Sequence, residues 1–472
     1  MDGFGRPSHG SRSAVRLRRP LARVAGVAGQ LSGEVPLWQG LGLVSLMAVA
    51  LGSAWREGTY SNAAFLAILV GLLTGIGATV VRWRSPSIEV PAWSWPLAAA
   101  ALPLMNLAPG LDPGSSPTRL ALSVVLAFVA VGLCLIPLRG RAWHLALIGA
   151  GTDLALAASR MVWGHAGIDV FWFTQRATAR LLHGQNPYGV AYPTTTPGLV
   201  SAHFPYGPAL LVLGAPFRLL GDIRGANAAA MVTLFACIAV LARRHAGEAA
   251  AGRYLALALG LPFSAFMIVQ AWPEVYPAAG VALWLVLRPR HRRWAVVALG
   301  AGICTVPTAL PLIVFPWIWW RDARREITLA VLVALAICVP FALWAGVGKF
   351  IADTVLLQIR LPARTDALSI NGLLAHLGRP LLPGWAGVSV SAVCLAICAL
   401  WGTREWDAAL MMGATLTCLA FVTAKWAFFD YYFIVAVGIV LALVFAASKR
   451  DGTVSREKVR DPAHTPVAPQ PQ

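Results

Sequence analysis

Gly207–Gly221 reads GPALLVLGAPFRLLG, and whether this run crosses a bilayer decides the orientation of everything that follows it. The chain around it is 472 residues long, 58% hydrophobic and only 12% charged, with a mean hydropathy of +0.68. Soluble domains carry about 25% charged residues. No aqueous fold hides that much apolar surface, so the solvent is lipid. The run is short and holds Pro208, Pro216 and Arg218. If it crossed, the later arginine-rich loops would all face outward, against the positive-inside rule. It therefore reads as a juxtamembrane helix lying in the outer interface.

With that decision made, apolar runs near the spanning length of about 20 residues fall at 37–55, 62–81, 93–108, 119–138, 143–159, 225–242, 254–270, 274–288, 327–346, 385–401, 408–424 and 428–447. An N-terminus on the cytoplasmic side puts Arg82/Arg84, Arg139/Arg141, Arg243/Arg244/Arg253, Arg288/Arg290/Arg292/Arg293, Arg321/Arg324/Arg325, Arg404 and Lys449/Arg450 inside as well. The net charge of +18 is thus a topology signal and not a nucleic-acid surface. Residues 294–320 must enter and leave on the same side, and Pro307 and Pro311 interrupt them, which predicts a broken hairpin of two short helices. Counting the hairpin as two gives about 13–14 membrane segments in an all-α polytopic protein.

The expected organisation is a basic disordered tail (1–35), four membrane helices (36–142), a membrane core (143–447) and a second disordered tail (448–472). The core carries two long outward loops, 160–224 and 347–384. The seven cysteines all lie in apolar stretches and read as small buried hydrophobes. The tryptophans near span ends read as interface anchors. No P-loop, GxGxxG, HExxH or paired CxxC pattern is present, which speaks against nucleotide-driven chemistry at the inner face.

The first long loop holds the chemistry. Asp169 stands at the outer membrane edge, before an amphipathic stretch with Arg176 and Arg180 on one face. His183–Gly184–Gln185–Asn186–Pro187–Tyr188 closes that stretch with turn residues, and His203–Phe204–Pro205–Tyr206–Gly207–Pro208 opens the next. A carboxylate at this depth is costly unless it is paired or working. Asp169 reads either as a helix cap or as a general base for an acceptor hydroxyl, and its setting favours the base. Arg176, Arg180 and the nearby histidines suit a donor phosphate.

The order Asp169, amphipathic helix, Gly184–Gln185–Asn186–Pro187–Tyr188, Phe204–Pro205–Tyr206–Gly207–Pro208 and Leu219–Leu220–Gly221 resembles the first outer loop of GT-C glycosyltransferases. The similarity is greatest to the polyprenyl-phosphate-mannose-dependent alpha-1,2-mannosyltransferases of actinobacteria and covers about 143–447. It implies a GT-C-like bundle with juxtamembrane helices in that loop and Asp169 as the catalytic base. It also implies a polyprenyl-phosphate sugar donor and a glycolipid or polysaccharide acceptor at the outer face of the cytoplasmic membrane, with no nucleic acid among the partners.

Looser matches are Asp366–Ala367–Leu368–Ser369–Ile370–Asn371–Gly372, the corner Gln270–Ala271–Trp272–Pro273–Glu274, and Lys425–Trp426–Ala427–Phe428–Phe429–Asp430–Tyr431–Tyr432. Many relatives carry a lysine at the hairpin tip, where this chain has Cys304–Thr305–Val306–Pro307–Thr308, so Lys425 or Arg360 is expected to substitute. Arg364 lies outward beside Arg360, against the charge trend. Gln270 and Glu274 are candidate sugar contacts, and Glu274 reads equally as a cap. A lone Asp169 without a second carboxylate beside it speaks against a tight metal site, and no cofactor is expected. The reading from another class is a multi-pass transporter or lipid-linked-sugar flippase, which calls for ionisable groups at the bilayer midplane and pseudo-symmetric halves.

Overall fold

The computed structural model describes residues 34–55, 59–84, 88–107, 117–136, 138, 143–163, 169–193, 201–400 and 405–447. Both expected tails lie outside these residues, except that Glu34–Pro36 (β1) forms a strand antiparallel to Glu89–Pro91 (β2). The chain is an all-α, multi-pass membrane protein. Its membrane-length apolar helices are Leu37–Ala54 (α1), Asn62–Arg84 (α2), Pro117–Leu135 (α4), Arg224–Leu259 (α8), Arg321–Ala345 (α13) and Phe429–Ala446 (α19). Ser94–Leu104 (α3) and Trp143–Trp163 (α5) complete the N-terminal half. The first long loop carries Asp169–Leu182 (α6), the short ladder β3–β4 (Ala191–Pro193 with Ser201–His203) and Pro208–Leu219 (α7).

Several expected spans are shorter or broken. The run 93–108 gives only the 11-residue α3 and a 3-10 turn, with Pro103 near the end of the helix. The run 254–270 stops at Leu259 and resumes as Ser264–Val269 (α9), because Pro262 between them supplies no backbone N–H. Val275–Leu287 (α10) has 13 residues, about 20 Å of helix. The longest helix is two: Gly247 sits at φ 71°, a left-handed value that ends one helix and starts another. The two halves fold back on each other, since the Asn227 amide donates to the carbonyls of Met267 (2.9 Å) and Trp272 (2.8 Å). The arginine-rich corner 243–253 is therefore a hairpin turn between two crossings.

The broken hairpin is present. Arg292–Thr305 (α11) and Pro307–Trp319 meet at a bend of 113°, and the second arm ends in Leu310–Trp319 (α12). Val306 is extended there, and prolines 307 and 311 open the next turns, so the break falls where ring closure removes backbone donors. The helix α7 spans 12 residues, too short to cross, and exposes Val212, Leu213 and Leu219. The second long loop comprises Val347–Ile351 (α14), a π-turn at Ala352–Leu356, Leu357–Arg360 (α15) and Ile370–His376 (α16). Gly384–Leu400 (α17) and Trp406–Val422 (α18) follow.

The helices sort the connections into two ends. At one end of α2 the Tyr60 N–H donates to Asp366 O at 2.8 Å. At the other end, about 34 Å of helix away, Arg82 pairs with Glu405 and, at 2.8 Å, with Asp407. The same basic end gathers Arg244, whose guanidinium donates to Val286 O, and Arg288, which pairs with buried Glu326. The opposite end collects both long loops and is called the loop end. Asp407 is 2% exposed, so an Arg82→Ala variant strands a buried carboxylate. It is expected to cost about 3–5 kcal/mol, read as a lower melting temperature in detergent. An unchanged melting temperature would show that the pair contributes nothing.

Candidate functional site

Asp169 opens α6 at the loop end and is buried. The first turn of a helix favours a carboxylate there through its unpaired N–H groups. Three other elements converge on it. The corner Gln270–Glu274 presents Ala271 at φ 55°, the one non-glycine residue with positive φ among the described residues. Such a conformation costs roughly 1–2 kcal/mol and persists only when its surroundings hold it. They do: Asn227 ties down Trp272 O, and Ala271 packs on Phe171 of α6 and on Ile223. The Trp272 ring meets Phe429 edge-on with centroids 3.8 Å apart, which locks the corner to the start of α19.

The carboxyls of Glu274 and Asp430 face each other across that contact, both buried. Tyr206 reaches into the same space. Burial, and then Glu274, Tyr431, Asp430 and Asp169 around it, push its phenol well above the ordinary range, so it stays a donor. Gln270 Oε1 is a buried acceptor that no donor among the described residues satisfies, and Glu274 Oε2 and Asp430 Oδ1 have no donor other than the proton the two carboxyls can share. Unsatisfied buried acceptors are costly and rare, and a polyhydroxylated ligand supplies the donors they lack. Asp169, Glu274 and Asp430 thus share one neighbour, the Tyr206 phenol. Among the described residues no group of three or more His, Cys, Asp or Glu side chains is arranged to hold a metal ion.

A second feature lies at the same end. A cavity of about 330 Å³ is lined by Gly189, His203, Lys349, Asp353, Leu357 and Arg360 among others. Asp353 sits in the π-turn, buried. Its Oδ2 accepts the Gly189 N–H at 2.6 Å, and its Oδ1 lies 3.0 Å from His203 Nδ1. Burial pushes the Asp353 carboxyl up, against the pull of Gly189 and His203. This contact joins the two long loops and leaves Lys349 and Arg360 beside one opening.

The other residues expected to bind substrate do different work. Arg176 is exposed and lies over the Trp172 ring. Arg180 donates to Asn186 O at 3.0 Å, and His183 Nδ1 lies 2.7 Å from Ala179 O. Asn186 Oδ1 accepts the Tyr188 N–H, and the Tyr188 hydroxyl donates to Tyr206 O at 2.9 Å, so both shape the loop. Arg364 pairs with Asp366 at 2.7 Å, holding that carboxyl below its usual range, and stacks over Trp426 and Phe428. Lys425 Nζ donates to the carbonyls of Ile359 and Leu361. None of these seven joins the Asp169 cluster, whereas Tyr206, Gln270 and Glu274 do, and His203 and Arg360 line the cavity.

Sequence reasoning missed Asp430, Tyr431, Lys349 and Asp353 as site members. The signal was available: all four fall in segments that the charge pattern assigns to the same end as Asp169. A larger cavity of about 540 Å³ lies at the basic end, where Arg288, Arg292 and Glu405 line it and are already paired with Glu326, Asp322 and Arg82. Comparison of the chain with protein-family models, curated proteins and solved structures found no match.

Proposed function

We propose that this chain is a GT-C-like membrane glycosyltransferase that moves a sugar, mannose by resemblance, from a polyprenyl-phosphate donor to a lipid or glycan acceptor. The reaction takes place at the outer face of the cytoplasmic membrane. The observation that carries the reading is the grouping of buried Asp169, Glu274 and Asp430 around the half-buried Tyr206 at the loop end. Asp169 takes the proton of the acceptor hydroxyl, whose oxygen attacks the anomeric carbon with inversion. The lipid phosphate leaves without a general acid, because it departs as a stable anion. Gln270, Glu274 and Asp430 offer buried acceptors to sugar hydroxyls, and Tyr206 offers a donor.

Lys349 and Arg360 supply the cationic side of the loop-end cavity that His203 also lines, where growing charge on the phosphate is stabilised. A Lys349→Ala/Arg360→Ala variant is expected to raise KM for a polyprenyl-phosphate sugar by roughly tenfold or more, with a smaller change in kcat. The measurement is initial rate against donor concentration in membrane vesicles, and an unchanged KM removes this cavity from the donor site. The transporter or flippase reading has one residue in its favour: Asp153, buried within α5 and accepting from Ser264 Oγ at 2.6 Å. The gathering of both long loops over one end favours the transferase.

A further inference from the structure

Cys304 is the next-to-last residue of α11, and Cys338 lies two residues before Pro340 in α13. Their Sγ atoms are 3.7 Å apart across 34 positions of sequence. Both are free thiols, Cys304 buried and Cys338 half-buried. The helices that carry them touch backbone to backbone: a Cβ on Gly300, one turn before Cys304, would stand 2.6 Å from Ala330 O and 2.9 Å from Val333 Cβ. The two helices thus approach closely one turn before the two sulfurs. Closing the sulfurs to a bond of about 2.0 Å asks each to move by less than about 1 Å.

The position of the pair matters as much as its spacing. The Cys304 carbonyl lies directly under Gly207, and the next carbonyl, Thr305 O, accepts the Gly207 N–H at 3.0 Å. The thiols thus sit beneath the loop end, which the charge distribution assigns to the extracytoplasmic side, where disulfides form and persist. Buried cysteines inside a membrane core ordinarily act as small apolar side chains, but two in contact next to an oxidising compartment have a reaction open to them.

We infer that Cys304 and Cys338 form a disulfide in the membrane-inserted protein, fastening the tip of the broken hairpin to α13. One thiolate attacks a sulfur of an external disulfide, that of a thiol oxidase or a small disulfide, and releases one thiol. The second thiolate displaces the remaining partner from the mixed disulfide. Two protons and two electrons leave this chain, and the external disulfide becomes two thiols. The bond fixes the surface on which Gly207 rests, and it does not depend on which reaction the chain performs.

The test uses the full chain in native membranes. Membranes are quenched in acid, free thiols are alkylated with N-ethylmaleimide in denaturant, and the protein is digested without reductant for mass spectrometry. The expected result is a peptide pair joined through Cys304 and Cys338 that separates on reduction, with neither cysteine alkylated. Recovery of both residues as single alkylated thiols overturns the inference. As an independent readout, reductant is expected to lower the melting temperature of the wild type and to leave that of Cys338→Ser unchanged. An equal shift in both would also overturn it.

Discussion

An Asp169→Asn variant is expected to insert and fold like the wild type and to transfer sugar about 10²–10⁴-fold more slowly. The substitution keeps the size of the side chain, and asparagine is as acceptable as aspartate at a helix start. The packing of Phe171 and Phe173 behind it should therefore be preserved. What disappears is the ability to take a proton. The loss should fall on kcat, with KM for donor and acceptor nearly unchanged, because neither ground-state contact depends on that proton. A well-folded variant with the wild-type kcat would leave Asp169 as a helix-start residue and no more.

Gly207→Ala should be the most damaging glycine-to-alanine change among the described residues. A Cβ on Gly207 would stand 1.6 Å from Cys304 O and 2.8 Å from its carbonyl carbon, both backbone atoms that no rotamer can move aside. Either Gly207 lifts away, breaking its N–H bond to Thr305 O, or the tip of the broken hairpin shifts. Each displaces the segment that carries Tyr206 into the carboxylate cluster. The expected cost is of order 4–5 kcal/mol or more, the exceptional class for point variants. It would be read as a collapse in folded yield or melting temperature and a loss of activity in whatever folds. Gly151→Ala in α5 is the control: no atom lies within 4 Å of its Cβ position, so it should be neutral or slightly stabilising. Equal behaviour of the two variants would refute the close approach at Gly207.

Much of this architecture was legible before any coordinates. Apolar run length and arginine placement locate most of the apolar helices, six of them of membrane length among the described residues, and divide the loops between two ends, because both reflect the one-dimensional constraint of a bilayer. Pro307 and Pro311 betray the broken hairpin for a local backbone reason. The failures are equally physical. Run length alone overlooks Pro262, which splits 254–270 into two helices, and overstates 93–108.

The site was harder to read than the spans. Asp169, Tyr206, Gln270 and Glu274 could be nominated from their end of the molecule, but Asp430 joins them only through the packing of Trp272 on Phe429. Lys425 looked available as a phosphate ligand until two backbone carbonyls claimed it, and Arg364 until Asp366 did. In their place the fold brings Lys349 to the cavity, through a Gly189–Asp353–His203 contact between loops that lie far apart in sequence. Such pairings depend on how helices approach in three dimensions, which spacing along the chain does not encode.

The most direct test reconstitutes the purified chain in liposomes with a labelled polyprenyl-phosphate mannose and a membrane extract as acceptor source. Label should pass to acceptor with the wild type, fall to background with Asp169→Asn, and not pass at all from a nucleotide-linked mannose. Transfer from the nucleotide sugar, or equal transfer by the two proteins, would contradict the account.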